Sequence, residues 1–333
     1  MNKVAIIGIH SFSGSALAKS LLESGTQVIG FARNLETPPN FLPHAQLFQK
    51  QFSNLKVFQA NLLHQHKEIS QEIIRSNAEI VVNFAAQSMV SESWVTPEDW
   101  YEANIVCLAK LVSGFIGCGK YSLKKFIHFT TPEVYGSTIG KIVENWQFKP
   151  TTPYAISRAA GDFHLKALYE SLNFPVIFTR TANVYGPHQK LYRVIPKLIT
   201  RMLKGDKFQL HGGGQSVRSF IHSRDVSAAL IRIIEDGVIG ESYHISTEQV
   251  ISIKELVERI LSKLELDFES NVDLVPDRIG KDSAYLLDSN KIRQDLDWSE
   301  AISLDHGLDL TLEWMQRDWE TLRFFESEYI HSK

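Results

Sequence analysis

Six short apolar runs punctuate the first half of the chain: Val4–Gly8, Val28–Ala32, Val57–Leu62, Ile80–Ala86, Phe126–Thr130 and Val176–Thr179. They are rich in Val, Ile and Phe and mostly continuous rather than alternating. A strand reads this way when both of its faces are buried, as in a parallel sheet covered by helices on each side. Amphipathic stretches such as Ser15–Ser24 and Glu102–Ile116 lie between the runs. Strand–helix alternation predicts an α/β fold: a doubly wound parallel sheet with right-handed crossovers.

After Arg180 the texture changes. Gly186-Pro187 marks a turn, Ile195–Leu203 reads as a helix closed by Gly205-Asp206, and Gly212–Gly214 as a loop. Ser223–Asp236 predicts a helix and Tyr243–Ser246 a short strand. Ser252 followed by Glu255 is a capping-box signal, and Ile253, Leu256, Val257, Ile260, Leu261 and Leu264 then recur at helical spacing. A last helix is expected from about Leu304 to Phe324. The organisation expected is a unit over 1–180, to which the chain returns near 215–247, and a smaller, interleaved C-terminal α/β lobe over 181–333.

Composition excludes some classes of partner. A net charge of −3 provides no field for nucleic acid or an anionic membrane. Two cysteines, Cys107 and Cys118, give neither a disulfide framework nor zinc-ligand spacing. His64-Gln65-His66 reads as exposed loop, so no metal is expected. The run after Lys3 is too short for a signal-peptide core, and no stretch reaches the ~20 apolar residues that span a bilayer. The expected location is cytoplasmic.

Gly8-Ile9-His10-Ser11-Phe12-Ser13-Gly14 follows the first run and opens the first helix. Backbone N–H groups at a helix N-terminus attract a pyrophosphate, and glycine lets the backbone approach it. The loop, at the head of a βα series, predicts a Rossmann-type dinucleotide site using Gly8, Ser11, Phe12, Ser13 and Gly14. The second run ends at Ala32-Arg33, with no acid before Glu36. An acid there would hold the ribose 2′-hydroxyl of NAD, whereas an arginine suits a 2′-phosphate. Arg33 therefore favours NADP, with NAD the alternative and a solvated surface arginine the plainer reading. Asn61 and Leu62 are placed at the adenine. Ala85, Ala86 and Gln87 are placed on the cofactor floor, and Gln87 and Ser88 at a sugar pocket.

Thr131-Pro132-Glu133-Val134-Tyr135-Gly136 follows the fifth run, and Tyr154-Ala155-Ile156-Ser157-Arg158 opens a helix after Pro153. This pair resembles the T-(D/S)-E-V-Y-G and Y-x-x-x-K motifs of extended short-chain dehydrogenase/reductases, specifically the nucleotide-sugar 4,6-dehydratases. Thr179–Pro187 resembles the substrate-binding turn of dTDP-glucose 4,6-dehydratase. Arg218 resembles that family's diphosphate-binding arginine, and Asp277–Asp282 its D-R-P-G-x-D stretch. Gln87-Ser88 and Arg33 are more similar to GDP-mannose 4,6-dehydratase, an NADP user. The likeness covers nearly the whole chain.

The resemblance implies a nucleotide-diphosphate sugar oxidised at C4, losing water across C5 and C6 and regaining hydride at C6. Tyr154 would be the base at C4, its phenol acidified by Arg158 and the oxidised nicotinamide. Thr131 would bond the C4 oxygen, and Glu133 would work at C5 and C6. Asn183, Arg193, Arg218 and Arg278 would hold the substrate. The family also implies a homodimer. Three positions depart from its pattern. Ser11 stands at the middle glycine. Pro132 stands where the dTDP-glucose branch carries an acid, so Glu133 must serve both steps. Arg158 stands where the family has lysine; it keeps the charge but changes the shape. Rival readings are a 4-epimerase or C4 oxidoreductase, and a nucleotide-sugar or dinucleotide binding protein that has lost turnover.

Overall fold

The fold is described from a computed structural model over residues 3–47, 49–116, 118, 121–277 and 282–331. Seven parallel strands form its central sheet. In chain order they are β1 (Lys3–Ile7), β2 (Gln27–Ala32), β3 (Leu55–Gln59), β4 (Ile80–Asn83), β5 (Lys125–Thr130), β6 (Val176–Thr181) and β7 (Ser242–Ile245). Across the sheet the order is β7-β6-β5-β4-β1-β2-β3. The order reverses between β1 and β4, whose pairing runs from Val4–Ile80 to Ile7–Asn83. In an open α/β sheet, ligands bind in the crevice beyond the carboxyl ends of the strands at such a point.

The continuous runs have a direct cause. Ile6 faces a core shared with Leu17 and Leu21 of α1 (Phe12–Glu23), whereas Ala5 and Ile7 face a second core that includes Ile69 and Ile73 of α2 (Leu62–Arg75). Neither face of Val4–Ile7 is left for water, so no polar residue alternates there. A third core lies in the C-terminal lobe. It joins Leu198 and Ile199 of α6 (Val194–Lys204), Leu256 and Ile260 of α8 (Ile253–Lys263), and Leu308 and Trp314 of the helix Leu304–Arg317.

The second half crosses back to the sheet repeatedly. Val226, Leu230 and Ile233 of α7 (Ser223–Asp236) pack on the α1 side, and β7 adds an edge strand beside β6. Ile292, Leu296 and Trp298 return to the same core, a crossing the sequence pattern did not predict.

Other boundaries also differ from expectation. The stretch Glu102–Ile116 is not one α-helix: α3 (Pro97–Tyr101) runs through a π-helical turn, Glu102–Val106, into α4 (Cys107–Ser113). The third strand stops at Gln59, and Asn61 caps α2, its side chain accepting from the Leu63 N–H at 3.0 Å. His64 and His66 therefore sit in the first turns of α2, not in a loop. The last helix ends at Arg317 and resumes over Trp319–Leu322.

Candidate active site

The loop after β1 is built for close approach. Gly8 has φ +83°, and a Cβ there would lie 3.1 Å from the Ala85 nitrogen at the end of β4. A Cβ on Gly14 would lie 2.4 Å from the Gly8 carbonyl oxygen. Ser11, at the middle-glycine position, caps α1 by accepting from the Gly14 N–H at 3.1 Å. The substitution thus trades backbone freedom for a capped helix N-terminus.

A cavity of about 390 Å³ opens beside this loop. Ile7, Phe31, Ala32, Ala60, Leu62 and Ala85 give it apolar walls, and Arg33, Asn61 and Gln87 bring polar groups to it. An apolar slot beside a helix N-terminus fits the adenosine half of a dinucleotide. Phe12 and Ser13 face the larger neighbouring cavity, and Gly14 lines neither, its role being loop packing.

The larger cavity, about 970 Å³, continues past the sheet edge into the C-terminal lobe. Thr131, Glu133, Tyr154, Arg158, Ser88, Asn183, Arg193 and Arg218 all line it. Thr131 holds the turn after β5 by accepting from the Glu133 N–H at 3.3 Å. Pro153 and Tyr154 open α5 (Pro153–Leu172), capped by the Thr152 hydroxyl. Arg158 follows one turn later, 4% exposed. Its Nη2 donates to the Phe129 carbonyl oxygen.

Burial dominates the electrostatics here. It pushes the Glu133 carboxyl up to about 7, with Asp282 adding repulsion and Arg218 and Arg193 opposing. Burial also raises the Tyr154 phenol, outweighing Arg158 and a hydrogen bond from Thr131. Arg158 therefore moderates the phenol but does not by itself make it acidic.

At the far end, Arg218 is 8% exposed and lies 4.1 Å from the Tyr285 ring centroid. Its guanidinium donates to the carbonyls of Val217 (2.8 Å), Ser283 (3.1 Å) and Asp282 (2.7 Å). The Tyr285 hydroxyl donates to Asn183 Oδ1 at 3.2 Å, and Arg193 Nη2 donates to Ser88 Oγ at 3.2 Å. Arg278 lies outside the described residues. No group of three potential metal ligands occurs among the described residues, and no helix there is long and apolar enough to cross a membrane.

Several residues of the site escaped the sequence reading. Asn104, in the π-helical turn, bonds the backbone of Gln87 and the Ser157 hydroxyl. It shares a buried stripe with Leu108, Leu111 and Val112, so a polar residue on an apolar stripe was the available signal. Ser93, fully buried, accepts from the Tyr154 N–H at 3.2 Å. Tyr285 and Lys190 come from loops with no periodicity to mark them. Behind the site, Asp162 and Arg180 form a fully buried ion pair of 2.9 Å.

A parallel sheet with a dinucleotide crevice, running into a cavity lined by a Thr, a Glu and a helix-start Tyr, defines an extended short-chain dehydrogenase/reductase. The chain matches the GDP-mannose 4,6 dehydratase family over residues 5–311, and it belongs to that family of NAD(P)-dependent nucleotide-sugar enzymes. It is 34% identical over 254 residues to the human dTDP-D-glucose 4,6-dehydratase, covering 74% of this chain and 71% of that one. It is also similar to the crystal structure of the dTDP-glucose 4,6-dehydratase of Streptomyces venezuelae, solved with NAD bound. There the TM-score is 0.84 at 26% identity, over 96% of this chain and 98% of that one. The Bacillus anthracis dTDP-glucose 4,6-dehydratase in complex with NAD gives the same values.

Proposed function

We propose that the chain is a nucleotide-sugar 4,6-dehydratase in which Tyr154, Thr131 and Glu133 perform the proton chemistry. The observation that carries this reading is Glu133. Its carboxyl, near 7 in a cavity shared with Thr131 and Tyr154, is matched to taking and giving a proton at neutral pH.

Bound NAD(P) supplies a hydride acceptor and donor. Tyr154 removes the C4 hydroxyl proton while Thr131 hydrogen-bonds that oxygen. A C4 ketone acidifies the C5 proton, which Glu133 accepts. Pro132 has no proton to give, so the proton on Glu133 passes to the C6 hydroxyl, which departs as water. A 4-epimerase needs no such acid. Arg218, Arg193 and Asn183, with Gln87 and Ser88, hold the diphosphate and sugar, and the resemblance adds Arg278.

The dinucleotide preferred is NADP, because Arg33 stands where an acid would hold an unphosphorylated ribose. Residues 1–180 carry the dinucleotide and 181–333 the nucleotide sugar. The molecule works as a homodimer. Supporting this, Ile156 and Phe163 of α5 and Val106 beside them are 44%, 47% and 36% exposed, an apolar face suited to a helical bundle with a second copy. Two unbridged cysteines are consistent with a cytoplasmic setting.

The test is to denature the purified protein, identify the released dinucleotide, and incubate fresh enzyme with UDP-, GDP-, CDP- and dTDP-hexoses. A sugar product lighter by one water supports the reading. A product of unchanged mass, or no turnover across the panel, overturns it.

A further inference from the structure

Lys190 belongs to the C-terminal lobe, three residues beyond Pro187, yet it lines the dinucleotide cavity together with Arg33, Asn34 and Thr37. Its ammonium sits 4.2 Å from the centroid of the Phe41 ring. Among the described residues no carboxylate lies within ion-pair distance of it, and it makes no hydrogen bond. Burial lowers its pKa. A half-buried cation without a counter-ion is costly unless a ligand brings the charge.

The surrounding structure fixes that cation in place. His188 Nδ1 donates to the Asn40 carbonyl oxygen at 2.7 Å. Phe41, 4% exposed, packs edge-on against Phe325 at 5.0 Å. The segment after β2 is thereby stitched to the C-terminal lobe, and Lys190 is carried on the stitch. On the cavity's other rim, His10 Nδ1 donates to the Asn34 carbonyl oxygen at 2.8 Å. Lys190 is close enough to His10 for its charge to lower that imidazole further.

Which anion this cation receives follows from its neighbours. A pyrophosphate is served by the N-terminus of α1, where backbone N–H groups already provide a site. Arg33, Asn34 and Thr37 follow β2, where a sheet of this type holds the adenosine ribose. We infer that Lys190, with Arg33, receives the 2′-phosphate of NADP, so that the discriminating site is built from both lobes. This rests on the proposed preference for NADP. A phosphate monoester carries close to two negative charges near neutral pH, which one arginine alone does not balance. Bound NADP would then bridge the two lobes, and NAD would not.

The experiment measures binding of NADPH and NADH to full-length protein freed of dinucleotide, by ligand fluorescence and by the rise in thermal midpoint. Wild type, Arg33→Ser and Lys190→Met are compared, with circular dichroism checking that each is folded. Lys190→Met is expected to weaken NADPH on the order of tenfold and to leave NADH within about twofold. The extra thermal protection given by NADPH over NADH should shrink with it. Equal weakening of both dinucleotides would assign Lys190 to the pyrophosphate and overturn the inference. A wild-type preference lost in Arg33→Ser but kept in Lys190→Met would overturn the inference alone. No wild-type preference for NADPH would overturn the NADP reading as well.

Discussion

Asn104 clamps the backbone of Gln87 at two points. Its Oδ1 accepts from the Gln87 N–H at 2.9 Å, and its Nδ2 donates to the Gln87 carbonyl at 3.0 Å. The same Nδ2 donates to Ser157 Oγ at 2.9 Å, and that hydroxyl donates to the Tyr154 carbonyl at 2.7 Å. One buried amide thus ties the loop after β4 to the first turn of α5. The π-helical turn at 102–106 swings Asn104 to the junction. Asn104→Ala removes both hydrogen bonds to the Gln87 backbone and the one received by Ser157 Oγ, at about 1 kcal/mol each. We expect a loss of roughly 2–4 kcal/mol in urea unfolding, and a fall in kcat from the unsupported Tyr154. Asn104→Asp keeps the acceptor and loses both donors, so it should recover little of either.

Glu133 makes stability depend on pH in a defined direction. In the unfolded chain its carboxyl ionises near 4.5 and in the fold near 7. Between these values the unfolded state has released a proton that the native state keeps, so stability falls as pH rises. Above about 7 the whole penalty is present, roughly 3–4 kcal/mol at about 1.4 kcal/mol per pKa unit. Glu133→Gln cannot ionise. It should be more stable than wild type at pH 8 by about that amount and nearly equal to it at pH 5. Its dehydration activity should be lost, and wild-type kcat should fall below about pH 7 as Glu133 takes up its proton. Matching pH–stability curves for variant and wild type would refute the assignment.

Tyr154 and Arg158 are separated by removing each. Tyr154→Phe deletes the hydroxyl and should lower kcat by roughly 10²–10⁴-fold. The dinucleotide should still copurify. Arg158→Ala removes a cation that favours the phenolate, so the phenol pKa rises and the rate needs a higher pH to develop. The expected alkaline displacement of the pH–rate profile is about one unit, and Arg158→Lys should restore most of it. An unmoved profile would mean that Arg158 acts only through its bond to the Phe129 carbonyl.

The proposed dimer face is tested with Ile156→Glu and Phe163→Glu together. The two residues lie two turns apart on α5, and both are exposed in the single chain. Charging them should shift the light-scattering mass from two chains to one without altering far-ultraviolet dichroism. A protein already monomeric as wild type would remove the dimer proposal.

What the sequence disclosed and what it hid follow physical lines. The strands were legible because residues such as Ile6 and Ile7 are buried on opposite faces of β1, which leaves a continuous apolar signature. Tyr154 and Glu133 stood out through the resemblance of their segments to the family's motifs, which follow a strand end and open a helix. Short pairings such as Lys141–Ile142 with Leu286–Leu287 were not, since two residues carry no period and their partner is distant in the chain. Lys190 and Tyr285 belong to loops, and only the closed fold brings them to the cavity. Asn104 is obscured for the opposite reason: its segment carries the period of an amphipathic helix, and a single polar residue on the buried face is easily absorbed in it.

Behind the site, α5 presents Tyr154, Arg158 and Asp162 at successive turns, and Asp162 meets Arg180 of β6 with both side chains fully buried. Burial raises the Asp162 carboxyl, while Arg180 and then Arg158 hold it down. His128 Nε2 lies 3.6 Å from the other carboxylate oxygen. The Arg180 guanidinium is caged by the rings of Tyr135, Trp146 and Phe148 at 5.5, 5.1 and 4.8 Å, and its Nε and Nη1 have no acceptor among the described residues. Asp162 is therefore the one anion bonded to that buried cation there. Removing one partner of such a pair strands the other charge, typically at about 3–5 kcal/mol. Asp162→Asn should cost that much in urea unfolding, since an arginine does not shed its proton. Arg180→Met should cost less at low pH than at neutral pH, because a stranded Asp162 can neutralise itself by protonation. The double variant Asp162→Asn/Arg180→Met should be more stable than Asp162→Asn alone, with the aromatic cage closing on the thioether. Additive losses in that cycle would show that the two charges contribute independently and are not coupled as a pair.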